Sequence, residues 1–94
     1  MSKAEWNGAV LAESDKCVEV ENNCYFPPDS VDMQYFENST TTSVCGWKGT
    51  CNYYNVRVGD EVNNDAAWVY RTPKDEAKNI ENYVAFWKGV HVTK

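Results

Sequence analysis

Apolar and polar residues alternate in short runs along the chain, and turn-forming residues separate these runs. Asn7-Gly8 lies between two of them, and this pair strongly predicts a β-hairpin because both central turn positions need a positive φ. Asn22-Asn23 predicts a second tight turn. The alternation predicts about eight short strands. They are drawn from ten candidate runs, at residues 4–6, 9–12, 17–21, 24–26, 39–45, 50–58, 61–64, 65–70, 83–87 and 90–93.

Two short helices interrupt the strands. Asp29 or Ser30 can cap a helical turn that runs through about Phe36. Its inner side should carry Val31, Met33 and Tyr35. The second helix should span residues 73–81, because proline suits the first helical position and the acids that follow suit the helix dipole. This helix should bury Ala77 and Ile80.

The strand at residues 50–58 has two different faces. We predict that the core face consists of Thr50, Asn52, Tyr54, Val56 and Val58. Cys51 and Tyr53, on the other face, are also apolar enough to line a site. The strand at residues 65–70 has apolar residues on both faces, which predicts a central position in a sheet.

Composition limits the class of protein. With 94 residues, a net charge of −5 and 43% hydrophobic residues, the chain is predicted to form one domain over residues 1–94. Few basic residues argue against a nucleic acid partner, and no apolar run predicts a membrane span. Thirteen aromatic residues, the sum of four Trp, six Tyr and three Phe, argue against disorder. The polar start does not resemble a signal peptide, so we expect a cytoplasmic protein.

The four cysteines favour neither a disulfide framework nor a metal site. Without an export signal we expect reduced thiols, although a bridge between Cys45 and Cys51 would form if the two face each other. The cysteine spacings contain no C-x-x-C pair, and His91 is predicted to be exposed. We therefore predict no metal and no cofactor.

Many short motifs occur in one collinear order over nearly the whole chain. They are Asn7-Gly8, Leu11–Ser14, Tyr25–Pro27, Val31–Met33, Thr41-Thr42, Cys45–Gly49, Tyr53, Asp65–Trp68, Tyr70, Pro73 and Tyr83–Phe86. In these motifs the sequence resembles the domain-of-unknown-function family numbered 427, which is sometimes labelled nucleotidyltransferase-like. The resemblance implies a mainly β fold, a small antiparallel bent barrel or tent-like structure, and it implies no particular reaction.

The chain departs from the family pattern at two positions of its central motif. Gly46 stands where relatives commonly have proline, which should loosen the loop. Cys51 stands where a small residue, usually alanine, is common, and it adds a thiol six residues after Cys45.

The glycine-flanked turn at Cys45–Gly49 carries the best candidates for a ligand site. Lys48 can hold an anion as a point charge, and Trp47 and Tyr53 can provide flat apolar walls. Cys45 would be a pocket wall or a nucleophile, because a neighbouring ammonium lowers a thiol pKa. Tyr25 and Asn52 are further polar contributors. We therefore predict a domain that binds a small, partly apolar, anionic molecule near this turn.

Other interpretations of the same residues stay open. Lysine in a turn is often only solvated, and tryptophan and cysteine are often part of the core. A phosphate-binding loop is not predicted, because the lysine precedes the second glycine and a strand follows. The alternatives are a small enzyme that uses Cys45 or Lys48, and an interaction module that is a monomer or a homodimer.

Overall fold

Three antiparallel sheets make up most of the molecule. The computed structural model describes residues 1–94. The strands are β1 (Ser2–Trp6), β2 (Ala9–Ser14), β3 (Val18–Val20), β4 (Asn23–Tyr25), β5 (Phe36–Cys45), β6 (Gly49–Val58), β7 (Glu61–Val69), β8 (Val84–Phe86) and β9 (His91–Thr93). The sheet orders are β2-β1-β9, β3-β4 and β5-β6-β7-β8. The predicted mainly β, antiparallel fold is confirmed.

The sheets do not close into a barrel, so of the two expected forms, barrel or tent-like, the structure is not the barrel. The β3–β4 pair joins no third strand, and both larger sheets keep open edges. One isolated bridge, between Phe26 and Val84, connects the β3–β4 pair to the four-stranded sheet. A closed barrel would need continuous pairing around the whole sheet.

The predicted hairpins form, with one shift in position. Asn7 and Gly8 have φ values of 50° and 80°, as a turn of the predicted type requires. In the β3–β4 hairpin the positive φ values fall on Glu21 (53°) and Asn22 (67°), so this turn lies one residue earlier than predicted. The shift is important because it places a glutamate at the tip of the hairpin.

Both predicted helices are replaced by 3₁₀ turns. Pro28–Ser30 and Met33–Tyr35 form two separate turns, and Met33 is exposed. Phe36 already pairs with β6, so no helix can continue through it. Asp75–Ile80 is the third segment; it buries Ala77 and Ile80 as predicted, but Ala77 has non-helical dihedral angles. Segments this short gain too few hydrogen bonds to propagate an α-helix.

The four-stranded sheet is packed on both of its faces. One face contributes to the main core, together with residues of β1, β2 and β4. The opposite face carries a second cluster centred on Tyr25, Cys51, Tyr70, Ala77, Ile80 and Ala85. Strand β7 lies between β6 and β8, so its predicted central position is confirmed.

The predicted core face of β6 is correct only in part. Tyr54 and Val56 belong to the main core, whereas Thr50 is exposed. Register shifts in both pairings of β6 show that its alternation is not regular along its whole length. Cys51 is fully buried in the second cluster, on the face of β6 that it shares with Tyr53. The runs at 61–64 and 65–70 form one strand, bent at Asp65, which has a φ of 56°.

None of the helical segments is long and apolar enough to cross a membrane.

Candidate functional site

A cavity of about 190 Å³ lies on the second-cluster face of the four-stranded sheet. The β3–β4 hairpin contributes one side, and β6, β7 and the turn before β6 contribute the others. Most of the lining is aromatic. The lining residues are Asn23, Tyr25, Lys48, Cys51, Tyr53, Trp68, Tyr70 and Trp87.

The β5–β6 turn places Lys48 in this cavity. Cys45 pairs with Gly49, so the loop between them has three residues. Gly49 has a φ of 108°, a conformation that residues with a Cβ rarely adopt. The carbonyl of Lys48 accepts a hydrogen bond from the backbone N–H of Lys74 at 2.9 Å, which fixes the turn against the chain before the third 3₁₀ segment.

Lys48 is buried with only 6% of its surface exposed. Its Nζ lies 5.1 Å from the ring centroid of Trp47 and 5.6 Å from that of Tyr70, within cation–π range. The Nζ also pairs with the carboxylate of Glu21. Burial would lower the pKa of Lys48, but the hydrogen bond to Glu21 and neighbouring negative groups outweigh it and raise the pKa. The site therefore holds a permanent positive charge at neutral pH.

Glu21 reaches Lys48 from the tip of the β3–β4 hairpin. Its side chain is 53% exposed, whereas that of Lys48 is 7% exposed. The hydrogen bond from Lys48 lowers the pKa of Glu21, so the carboxylate is charged at neutral pH. One partner of this ion pair is thus largely hydrated and the other is largely desolvated.

Tyr25, Tyr53, Trp68 and Trp87 form the flat walls. Trp68 packs edge-on against Tyr25 at 6.2 Å and against Trp87 at 5.6 Å between ring centroids. Trp68 Nε1 donates a hydrogen bond to the Tyr25 hydroxyl at 3.1 Å. Burial raises the pKa of Tyr25, so its hydroxyl stays protonated and keeps one proton to donate.

Cys45 lies beside this arrangement, at the end of β5. Its half-buried side chain packs against the second cluster but does not line the cavity. Burial raises its thiol pKa, but backbone hydrogen bonds from Lys48 and Trp47 and the Lys48 charge together leave the pKa lowered. The thiol of Cys51 behaves in the opposite way, because burial raises its pKa.

The structure brings together three of the six residues predicted for the site. Lys48, Tyr53 and Tyr25 line the cavity. Trp47 is 40% exposed, and its ring contacts Lys48 outside the lining. Asn52 alternates with Cys51 and Tyr53 along β6, so its side chain is on the opposite face of the sheet.

Sequence reasoning missed Glu21, Asn23, Trp87 and an aromatic pair on β7 and at its end, Trp68 and Tyr70. A signal for the aromatic pair was present, because both alternate with the core residues Ala67 and Val69. Glu21 left no such signal, since its role depends on a contact between residues 27 positions apart.

The thiols and the single histidine do not form a metal site. All four cysteines are free. Cys51 pairs with Ser43 and Cys45 pairs with Gly49, so the two cysteines do not face each other across the turn and the condition for a bridge is not met. His91 is exposed on β9, and no group of three or more His, Cys, Asp or Glu side chains is arranged to hold a metal ion.

A larger, open groove of about 730 Å³ lies at residues 13–16 and 27–30, with Met1 and Tyr83. Only two of its ten lining residues are hydrophobic. It lacks the apolar walls and the buried charge of the aromatic cavity, and those two properties are typical of small-molecule sites.

The fold and the cavity define a small antiparallel β domain with one aromatic site around a buried lysine. A family model described as a domain of unknown function (DUF427) matches residues 2–93, and the chain belongs to this family. No curated protein matches the sequence.

Proposed function

We propose that the domain binds a small, planar, partly apolar anion in the aromatic cavity beside the Cys45–Gly49 turn. The observation that carries the proposal is the position of Lys48, whose buried ammonium lies at a cavity lined by tyrosine and tryptophan. Aromatic walls favour a flat ring, and a single cation favours an anionic group on that ring. The cavity is smaller than the roughly 300 Å³ that drug-sized ligands need, which limits the ligand to one or two fused rings.

Lys48→Met tests this role directly. Methionine keeps an unbranched chain but removes the charge, and Glu21 remains hydrated after losing its partner. Replacing a desolvated charge by an apolar side chain is often neutral for stability, so we expect a change in unfolding free energy below about 1 kcal/mol. Affinity for the probe 2-naphthoate, measured by calorimetry, should fall at least about tenfold, or 1.4 kcal/mol.

Lys74→Met is the matched control. Lys74 is an exposed lysine whose Nζ donates to the Gly46 carbonyl of the same turn, yet it does not line the cavity. This variant should bind 2-naphthoate like the unmodified chain. A strongly destabilised Lys48→Met variant would instead assign Lys48 to the stability of the fold, and equal affinities in all three proteins would contradict the proposed site.

A second candidate function is a small enzyme that uses Cys45 or Lys48. The observation in its favour is the lowered pKa of Cys45 beside two backbone N–H groups and the Lys48 ammonium. Against Lys48 as a nucleophile stands its raised pKa, which keeps the amine protonated.

A third candidate is an interaction module. Val44 and Trp47 are exposed at the tip of the β5–β6 hairpin, and β5 is an open edge of its sheet. Self-association that depends on Trp47, measured by sedimentation over a range of protein concentrations, would favour this function over ligand binding.

A further inference from the structure

We infer that Glu21 occupies the anion subsite of the aromatic cavity, and that the ligand is an aromatic monocarboxylate that binds by replacing it. The inference rests on the proposed function and names the ligand class and a residue that determines specificity. It starts from the carboxylate that the chain itself places on the Nζ of Lys48.

The two partners of this ion pair differ in how easily they can separate. Glu21 is more than half exposed, so its carboxylate can return to water with little loss of hydration. Lys48 is buried, and a buried ammonium without a partner is costly. An incoming anion therefore displaces Glu21 from Lys48, whereas Lys48 has to stay paired.

The backbone at Glu21 supports the same conclusion. Glu21 has a φ of 53°, a region in which Gly, Asn and Asp are common and glutamate is not. The next residue, Asn22, is typical of such a turn. A glutamate in the first of the two turn positions is explained by its side chain, which is long enough to reach Lys48.

The hairpin that carries Glu21 makes its backbone hydrogen bonds to the large sheet at its base, and Val18 and Val20 pack on the second cluster. Phe26 and Val84 exchange two backbone hydrogen bonds of 2.8 and 2.9 Å there. Strand β3 pairs with β4 alone, and Asn23 and Tyr25 of β4 line the cavity. The Glu21 carboxylate thus stands beside the cavity-lining Lys48, on a hairpin whose tip is otherwise held by Lys94, which pairs with Glu19 and donates to the Asn22 carbonyl at 3.5 Å.

The charge of the site selects a monoanion. Lys48 is the only cationic side chain among the lining residues, and Glu21 neutralises it. Replacing one carboxylate by another conserves this balance. A phosphate group of charge near −2 would leave a negative charge without a partner in a partly desolvated site.

Glu21→Gln tests the inference with two probes of the same shape, 2-naphthoate and the uncharged 2-naphthamide. Removing the internal carboxylate leaves the ligand as the only partner for Lys48, so 2-naphthoate should bind about tenfold more tightly than to the unmodified chain. Affinity for 2-naphthamide should change less than about twofold, because the amide cannot replace a charge. Calorimetry measures both.

Glu19→Gln is the matched control, because Glu19 lies on the same hairpin and pairs with Lys94 at the surface. It removes the same charge and should leave both affinities unchanged. Glu21→Asn is a second variant that suits the positive φ of this position and is too short to reach Lys48, so it should reproduce the gain.

The outcomes separate this inference from the proposed function. Suppose the unmodified chain binds 2-naphthoate and both Glu21 variants bind it no more tightly than the unmodified chain. The inference that the ligand displaces Glu21 is then wrong, whereas the proposed binding site is still supported. If no protein in the set binds either probe, both ideas are wrong. An equal gain for 2-naphthamide would also overturn the inference, because the effect would then not be one of charge.

Discussion

Lys48 is the only charged residue that the fold buries, although lysine is among the residues least often found inside proteins. The flanking glycines made Lys48 a candidate ligand residue, but local spacing could not decide between a solvated and a buried side chain. That decision depends on Glu21, which approaches from another hairpin, and on the rings of Trp47 and Tyr70. Such contacts depend on how distant segments pack and not on local spacing.

Cys45 provides a prediction about reactivity. Its pKa is lowered from the ordinary thiol value of 9.0, so a larger thiolate fraction persists to lower pH than for an ordinary thiol. Alkylation by iodoacetamide, followed by peptide mass spectrometry over a pH series, should therefore label Cys45 with a midpoint below that value. Cys51 should react more slowly at every pH, because it is buried and its pKa is raised.

Lys48→Met supplies the control for this profile. Because the ammonium of Lys48 helps to lower the pKa of Cys45, the midpoint should move towards higher pH in the variant. A Cys45 midpoint at or above that of a free thiol in the unmodified chain would remove the support for the enzyme candidate.

At the scale of elements, turns were predicted better than helices. Asn7-Gly8 and Gly46–Gly49 could be recognised because turn residues have strong local conformational preferences. The two helices were wrong in type because Pro28, the pairing of Phe36 and the kink at Ala77 leave segments of one turn. Asn52 was wrongly assigned to the site, although the alternation along β6 already places it on the face opposite Cys51 and Tyr53.

Gly49→Ala should destabilise the domain by about 1–3 kcal/mol, because alanine strains a backbone with a φ of 108°. The added Cβ would meet only ordinary contacts, the nearest being the backbone nitrogen of Lys74 at 3.5 Å, so strain and not collision is the cause. Urea unfolding measures the change. Since Gly49 directs Lys48 into the cavity, binding of 2-naphthoate should weaken as well.

Gly46→Ala is the control within the same turn. Gly46 has no positive φ, and a Cβ there would meet nothing within 4 Å. The unfolding free energy of the Gly46→Ala variant should stay within about 0.5 kcal/mol of that of the unmodified chain. Equal losses for both substitutions would contradict the role given to the conformation of Gly49.

For the whole molecule, the sequence predicted the class of fold but not its closure. Alternation and turns predict strands, whereas the way in which three sheets meet depends on bridges such as that between Phe26 and Val84. Apolar residues on both faces of β7 correctly indicated a central strand. The same property allows the second cluster and the cavity to form on the face of the sheet opposite the main core.

Two carboxylates predict how stability depends on pH. Hydrogen bonds from Ser39 and Thr41 lower the pKa of Asp65 below its usual 3.8, and the bond from Lys48 lowers that of Glu21 below 4.5. Each contributes stability that is fully present above the unfolded pKa and lost as pH falls through the folded pKa. The urea midpoint should therefore fall as pH decreases below about 4.5.

Asp65→Asn and Glu21→Gln should each flatten this pH dependence, because neither variant can take up the proton concerned. Urea unfolding between pH 7 and pH 3 is the measurement. If the urea midpoint depends on pH as steeply in both variants as in the unmodified chain, other carboxylates cause the acid sensitivity.

The most direct test of the central claim is a titration of the ¹⁵N-labelled protein with 2-naphthoate, followed through the indole N–H resonances. Trp68 and Trp87 line the cavity, whereas Trp6 packs against the main core. We expect saturable shifts for Trp68 and Trp87 and none for Trp6, with a saturation midpoint at least about tenfold higher in Lys48→Met. Equal shifts for all the indoles, or the same saturation midpoint in Lys48→Met, would contradict the proposed site.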